Sequence, residues 1–213
     1  MTTQRQIKSP LLITEEPYIN VTMPTVNCIM GDKLTAFAPH TTGIPFGIDK
    51  ELEIIKQMYD VSCLFEMVDN FKDVRDSYMA TVQSEIAYRE KEITYIDALL
   101  DTIDAAACIA GRGQIGNDYE LYLSGIRAID NHIFDGKFTA EMAVVRACKV
   151  MYAAACILTD SEIQRIDHPE VFLKKVIPME KYSKLSKIKR LAPEGYAYAV
   201  EAMEQLKAFS DSK

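Results

Sequence analysis

Apolar residues recur at helical spacing over most of the chain. Phe71, Val74, Tyr78, Val82 and Ile86 fall on one face of one stretch. Ile96, Leu99, Leu100, Ile103 and Ala107 do so in the next, and Tyr122, Ile126, Ile129 and Ile133 in a third. A repeat of three to four residues brings such positions to one side of a helix and leaves the other side to water. Residues 139–158 break this pattern. Apart from Arg146 and Lys149 they are apolar nearly all round, which predicts a helix at the centre of a bundle, capped by Thr139.

The punctuation agrees with this outline. Thr25 is placed to cap a helix running to about Ala38, with Pro39 limiting its extension. Asp49 is placed to cap a second, with Glu51 and Glu53 favourable in its first turn. Thr159 and Glu162 have the spacing of a capping box, and Pro169, Pro178 and Pro193 mark ends of short helices. Residues 10–23, PLLITEEPYINVTM, hold Val, Ile, Thr and Tyr and predict one or two short strands, of edge type because of Pro17. The expected fold class is therefore mainly α: a short N-terminal β element, then a bundle of six to eight helices, about 60% helix in all. The expected division is residues 1–48 and a helical domain over 49–213.

Composition narrows the function classes. The chain has 213 residues, 48% of them hydrophobic, enough for a real core. Cys28, Cys63, Cys108, Cys148 and Cys156 lie in apolar stretches with no CxxC pair, which predicts reduced core thiols and a cytoplasmic protein. No stretch approaches the ~20 apolar residues of a membrane span, so no membrane association is expected. The net charge of −7 argues against a general nucleic-acid binder. The sign is uneven, however. Residues 174–190, KKVIPMEKYSKLSKIKR, hold seven cations and one acid, which leaves −13 for the rest.

Two familiar patterns fail. GRGQIG, residues 111–116, matches GxGxxG through Gly111, Gly113 and Gly116. The residues before it have helical period, whereas a dinucleotide loop must follow a strand, so the glycines read as a helix end and a connecting loop, with Asn117 or Asp118 capping the next helix. His40, His132 and His168 lack metal-ligand spacing, so no metal site is expected from this chain alone. Asp101 and Asp104 lie on an expected helix and read as a solvated face.

One placement remains unexplained. Val26, Ile29, Met30 and Phe37 form the apolar stripe of the first helix, and Lys33 belongs to that stripe at i+7 from Val26. An ammonium on an inward face needs an anionic partner or access to a cleft; the alternative is a lysine whose stem lies along the rim of the core while its tip stays wet. The second helix is apolar apart from a narrow strip of Glu53, Lys56, Gln57 and Asp60. That strip reads either as a solvent face carrying a Lys56–Asp60 pair or as the lining of a cleft.

The run GDKLTAFAPHTTGIPFG, residues 31–47, followed by KELEIIKQMYDVSCLF, residues 50–65, resembles the later half of the AbiEii/AbiGii-type nucleotidyltransferase toxins of abortive-infection, type IV toxin–antitoxin systems. The resemblance covers roughly residues 19–68. It implies an α/β nucleotidyltransferase core followed by helices, with residues 1–48 the remnant of that core. The implied activity is transfer of a nucleotide from an NTP, with Mg²⁺, to an acceptor, tRNA in some members. It further implies that Lys33 contacts the triphosphate and that Asp60 is a general base.

The family's Gly-Gly/Ser turn and Asp-x-Asp pair, which hold the Mg²⁺, have no counterpart in this sequence. The chain is thus expected to be a C-terminal portion, inactive or nearly so alone, working with an N-terminal half or an antitoxin protein. The alternative is a non-catalytic helical module that binds RNA or protein. Lys184, Lys187 and Arg190 would then face a phosphate backbone while Tyr182, Leu185 and Ile188 face the core. An apolar surface near residues 10–40 would favour a homo-oligomer.

Overall fold

Thr25 opens the first helix: its hydroxyl oxygen accepts the Cys28 N–H, and α1 runs Val26–Ala36. The computed structural model describes residues 1–8, 11, 13–89, 92–133 and 136–212. Helix α2 spans Glu51–Phe65, α3 Phe71–Arg89, α4 Tyr95–Ala110, α5 Tyr119–Ala128, α6 Ala140–Leu158 and α7 Pro193–Asp211. Three 3-10 helices, Ile129–His132, Pro169–Lys174 and Glu180–Lys189, join them. Strands β1, Thr2–Gln6, and β2, Asn20–Pro24, form an antiparallel pair with Thr2 opposite Pro24 and Gln6 opposite Asn20. Helices make up 63% of the protein and strands 5%, so the mainly helical class with a small N-terminal sheet holds.

The helical stripes are buried as their spacing predicts: Phe71, Val74, Tyr78 and Val82 on α3, Leu99 and Ile103 on α4, Tyr122 and Ile126 on α5. Helix α6 occupies the centre. Its thirteen residues from Ala143 to Leu158 that are buried face α4 on one side, α7 on another and α2 on a third. Its C-terminal half carries the run Ala153, Ala154 and Ala155, all fully buried, and small side chains let the neighbouring helices come close. No helix among the described residues is long and apolar enough to cross a membrane.

Four local expectations are corrected. The strands are not where the alternation placed them: only residues from Asn20 onward are β, and their partner is the polar TTQRQ segment. The described residues of 11–19 form a connection; Pro10 and Leu12 lie outside the described residues. Asp49 does not cap α2. It has a positive φ of 55°, and Lys50 is the N-cap without a side-chain bond. Thr159 and Glu162 form no capping box, because no helix follows; Thr159 ends α6 and donates back to the Ala155 carbonyl. Asp118 sits at the N-cap of α5 but makes no capping bond, since its carboxylate is turned to His40.

Helix α1 lies in the corner between α3 and α2. Its closest approach to α3 is at Gly31, where a Cβ would meet the Val74 carbonyl oxygen at 2.5 Å and the Tyr78 nitrogen at 2.7 Å. Both obstacles are backbone and cannot turn aside. Around this point Asp32 accepts hydrogen bonds from Ser77 at 2.9 Å and Thr81 at 2.6 Å, and Asn27 donates to Asp69 at 2.8 Å. Gly31→Ala should therefore force the helices apart and cost about 1–3 kcal/mol. Urea denaturation monitored by circular dichroism checks this, with Ala36→Ser, on the same helix, as a comparison variant.

Candidate functional site

The buried residues of α1 are Asn27, Cys28, Met30, Gly31, Leu34 and Thr35. Of the expected stripe of Val26, Ile29, Met30 and Phe37, Met30 and Phe37 are fully buried while Val26 and Ile29 are only partly so, because Gly31 turns its side of the helix toward α3. Lys33 consequently lies at the border of the buried face, on the side of α2. Its ammonium meets Asp60 Oδ2 at 2.7 Å, with side-chain exposures of 31% and 42%. It also donates to Gln57 Oε1 at 3.4 Å. The anion that the position of Lys33 asks for is thus Asp60, from one turn of the polar strip on α2. Among the described residues Lys56 does not pair with Asp60, so the i,i+4 alternative is not formed. Lys33 and Asp60, singled out separately along the chain, are brought together; Gln57 joins them.

The loop after α1 is held as tightly as a helix turn. Thr42 donates to the Thr35 carbonyl at 3.0 Å, Gly43 N–H to Ala38 at 2.7 Å and Ile44 N–H to Ala36 at 3.1 Å. At Gly43 a Cβ would meet the Ala36 carbonyl oxygen at 2.5 Å, so only glycine lets the chain fold back onto the helix end. Arg89 of α3 donates to the Gly43 carbonyl at 2.9 Å. From the other side, Asp101 Oδ2 accepts both the His40 N–H and the Thr41 hydroxyl at 2.8 Å.

This corrects the reading of Asp101 as solvated. It is only 7% exposed, and burial raises its carboxyl above the usual range, against the lowering effect of the Thr41 and His40 bonds. Asp104 likewise is not a bare solvent face: it accepts from Lys181 and from the Tyr182 hydroxyl at 2.8 Å. Sequence spacing carries no signal for these contacts, since each partner is remote along the chain.

The remaining candidates fall elsewhere. Residues 180–189 form a 3-10 helix with Tyr182, Leu185 and Ile188 buried. Lys184, Lys187 and Arg190 are exposed on the other side, Lys187 donating to Gln114 at 2.8 Å. They do not join Lys33 and Asp60 through any bond among the described residues. Four of the five cysteines are buried, and burial pushes the thiols of Cys108 and Cys156 up to about 11 and about 12, which makes them poor nucleophiles at neutral pH. Gly113 and Gly116 have positive φ in the loop after α4, as a helix end requires, and no strand precedes them.

Among the described residues no three His, Cys, Asp or Glu side chains are grouped to hold a metal ion. Asp60, the nearest carboxylate to Lys33, already carries an ammonium at 2.7 Å, so the residues here do not fit a divalent cation by themselves. Comparison with known protein families, curated proteins and solved structures gave no match to this chain.

Both members of the Lys33–Asp60 pair are about a third exposed or more, so solvent screens their attraction to about 0.2–1 kcal/mol. Lys33→Met and Asp60→Asn should each leave the melting temperature within about 3 °C of the parent. A double-mutant cycle in urea checks the coupling directly. A coupling several times larger would make the pair a structural element of the α1–α2 contact.

Proposed function

We propose that this protein supplies the lysine and the base of an AbiEii-like nucleotidyltransferase. In this reading an acceptor hydroxyl, in tRNA or another acceptor, attacks the α-phosphorus of an NTP and pyrophosphate leaves. The observation that carries it is the 2.7 Å contact between Lys33 and Asp60 at a half-open edge between α1 and α2. A structural ion pair would gain little there. A phosphate-binding ammonium with a base beside it gains a function from the same exposure.

The residues then act in sequence. The ground-state pair holds the Lys33 ammonium against Asp60 at 2.7 Å. An incoming triphosphate replaces Asp60 as the partner of Lys33, because three oxygens with more charge bind the ammonium better than one carboxylate. Asp60, released, takes the proton of the attacking hydroxyl. Gln57 stays bonded near both and limits where they swing. The clamped loop, held by Asp101 and Arg89, keeps the end of α1 fixed while this exchange occurs.

In the resembled family Mg²⁺ neutralises the phosphates. Its carboxylates do not come from this site, so they come from another segment or chain, such as the family's N-terminal half. Exposed Ile13 and Ile19, beside the two-stranded sheet, support contact of that region with such a partner, an antitoxin protein or a second copy.

The test uses the full chain with Mg²⁺, each α-labelled NTP and tRNA, with and without a recombinant N-terminal domain of the AbiEii type. Label should reach the acceptor only with that domain present. Lys33→Met should lower transfer by about a hundredfold or more, the scale of losing one fixed cation from a phosphoryl-transfer site. Transfer by the chain alone would show that the carboxylates are not needed from elsewhere. Transfer unchanged by Lys33→Met would remove Lys33 and the reading with it.

A second reading, a non-catalytic module that binds RNA, has one observation of its own. In a 3-10 helix residues three apart eclipse one another, about 6 Å apart along the axis. Lys181, Lys184 and Lys187 follow that spacing, and Arg190 continues it just beyond the helix, while Tyr182, Leu185 and Ile188 anchor the opposite face. Binding of a short RNA should weaken steeply with salt, and replacing Lys184, Lys187 and Arg190 together by Gln should reduce the log–log slope by about two to three. Filter binding at several salt concentrations measures this; a flat salt response would discard it.

A further inference from the structure

Helix α6 is buried almost all round, yet Arg146 interrupts it. The function proposed above does not use this residue. Its surroundings orient the guanidinium without neutralising it. It lies 4.3 Å from the centroid of the Tyr59 ring and 5.9 Å from that of Phe138. Its Nη1 donates to Ser62 Oγ at 2.8 Å and to Cys63 Sγ at 3.2 Å. No carboxylate among the described residues pairs with it. Lys149, one turn further along, is the opposite case: Glu66 and Glu194 each hold its ammonium at 2.6 Å. Arg165 also reaches Glu66, at 4.0 Å. Two cations, Lys149 and Arg165, therefore take up the two carboxylates, and Arg146 is left without one in a protein whose net charge is −7.

Arg146 and Lys149 line a groove of about 530 Å³ between α2 and α6, together with Ser62, Cys63, Glu66 and Met142. A guanidinium has five N–H donors in a planar fork. Ser62 and Cys63 occupy Nη1. The Nε and Nη2 edge, the one that meets an oxyanion with two parallel bonds, is taken by no described residue. A cation half-removed from water, stacked on two rings and lacking a counter-charge is a prepared anion site.

We propose that this groove binds a small oxyanion, a phosphoryl or carboxylate group, through the Nε–Nη2 edge of Arg146. The site does not depend on the reading of Lys33 and Asp60. Met142 supplies an apolar wall for the carbon portion of such a ligand, and Lys149, already neutralised, sets the polar rim.

The groove contains its own reporter. Cys63 is the one cysteine of five that is not buried, and it lies against Arg146. The full chain is treated with limiting iodoacetamide, and modification of Cys63 is followed by peptide mass mapping. Rates are compared in sodium phosphate, sodium acetate and sodium chloride at equal ionic strength. Phosphate or acetate should slow Cys63 severalfold and saturably relative to chloride. Protection by only one of them sustains the proposal and names the oxyanion.

Arg146→Lys keeps the charge and removes the fork, so most of the protection should disappear while the fold is kept; Arg146→Met should abolish it. Equal rates in all three salts with the unaltered chain would overturn the proposal whether or not the variants fold. So would protection that Arg146→Lys leaves intact.

Discussion

Helices α1 and α3 touch backbone to backbone at Gly31, and the position of everything around the candidate site follows from that contact. With no side chain between them, the helices approach until the Val74 carbonyl and the Tyr78 nitrogen close the gap. The approach turns α1 so that Met30 and Leu34 enter the core and Asp32 reaches Ser77 and Thr81. Lys33 is carried to the margin beside α2, where it meets Asp60. Of the stripe drawn from spacing, Met30 and Phe37 are enclosed, whereas Val26 and Ile29 stay partly exposed.

Several ion pairs connect elements remote in sequence. Three partly buried cations meet carboxylates from other parts of the fold: Lys33 meets Asp60, Lys149 meets Glu66 and Glu194, and Arg75 meets Asp160 just past the end of α6. These pairs tie α1 to α2, α2 to α6 and α7, and α3 to the end of α6. Because most members keep some contact with water, their energies are small and their geometry is what matters. Arg146, partly buried on α6, differs in that no carboxylate among the described residues pairs with it.

A polar cluster sets the loop after α1 just as firmly. Asp101 gives one oxygen to two donors of that loop, and Arg89 holds it from the opposite side. A buried carboxylate is costly alone, but here its bonds fix a segment with no secondary structure of its own. The loop is thereby tied to the end of the lysine-bearing helix and to α3 and α4. The edge at Lys33 and Asp60 gains its precision from contacts made at a distance from it.

The sequence by itself determined the class of fold. The three- and four-residue spacing of Phe71 to Val82, the all-round apolarity of 140–158, and Thr25 and Thr139 as caps all appear in the structure as read, because helical periodicity and capping are local properties of the chain. It also marked Lys33 and Asp60 as unusual, one by its place on a stripe and the other by its narrow strip. What it left to the tertiary structure was every relation between remote segments. The pairing of TTQRQ with residues 20–24 is invisible in a polar run, since a strand with no alternating pattern is defined by its partner. The burial of Asp101, the failure of Asp49 and Asp118 to cap, and the turning of Lys33 toward Asp60 depend on where another helix lies. Side chains with several bonding choices take the one that packing brings within reach, and packing is decided only when the whole chain has folded.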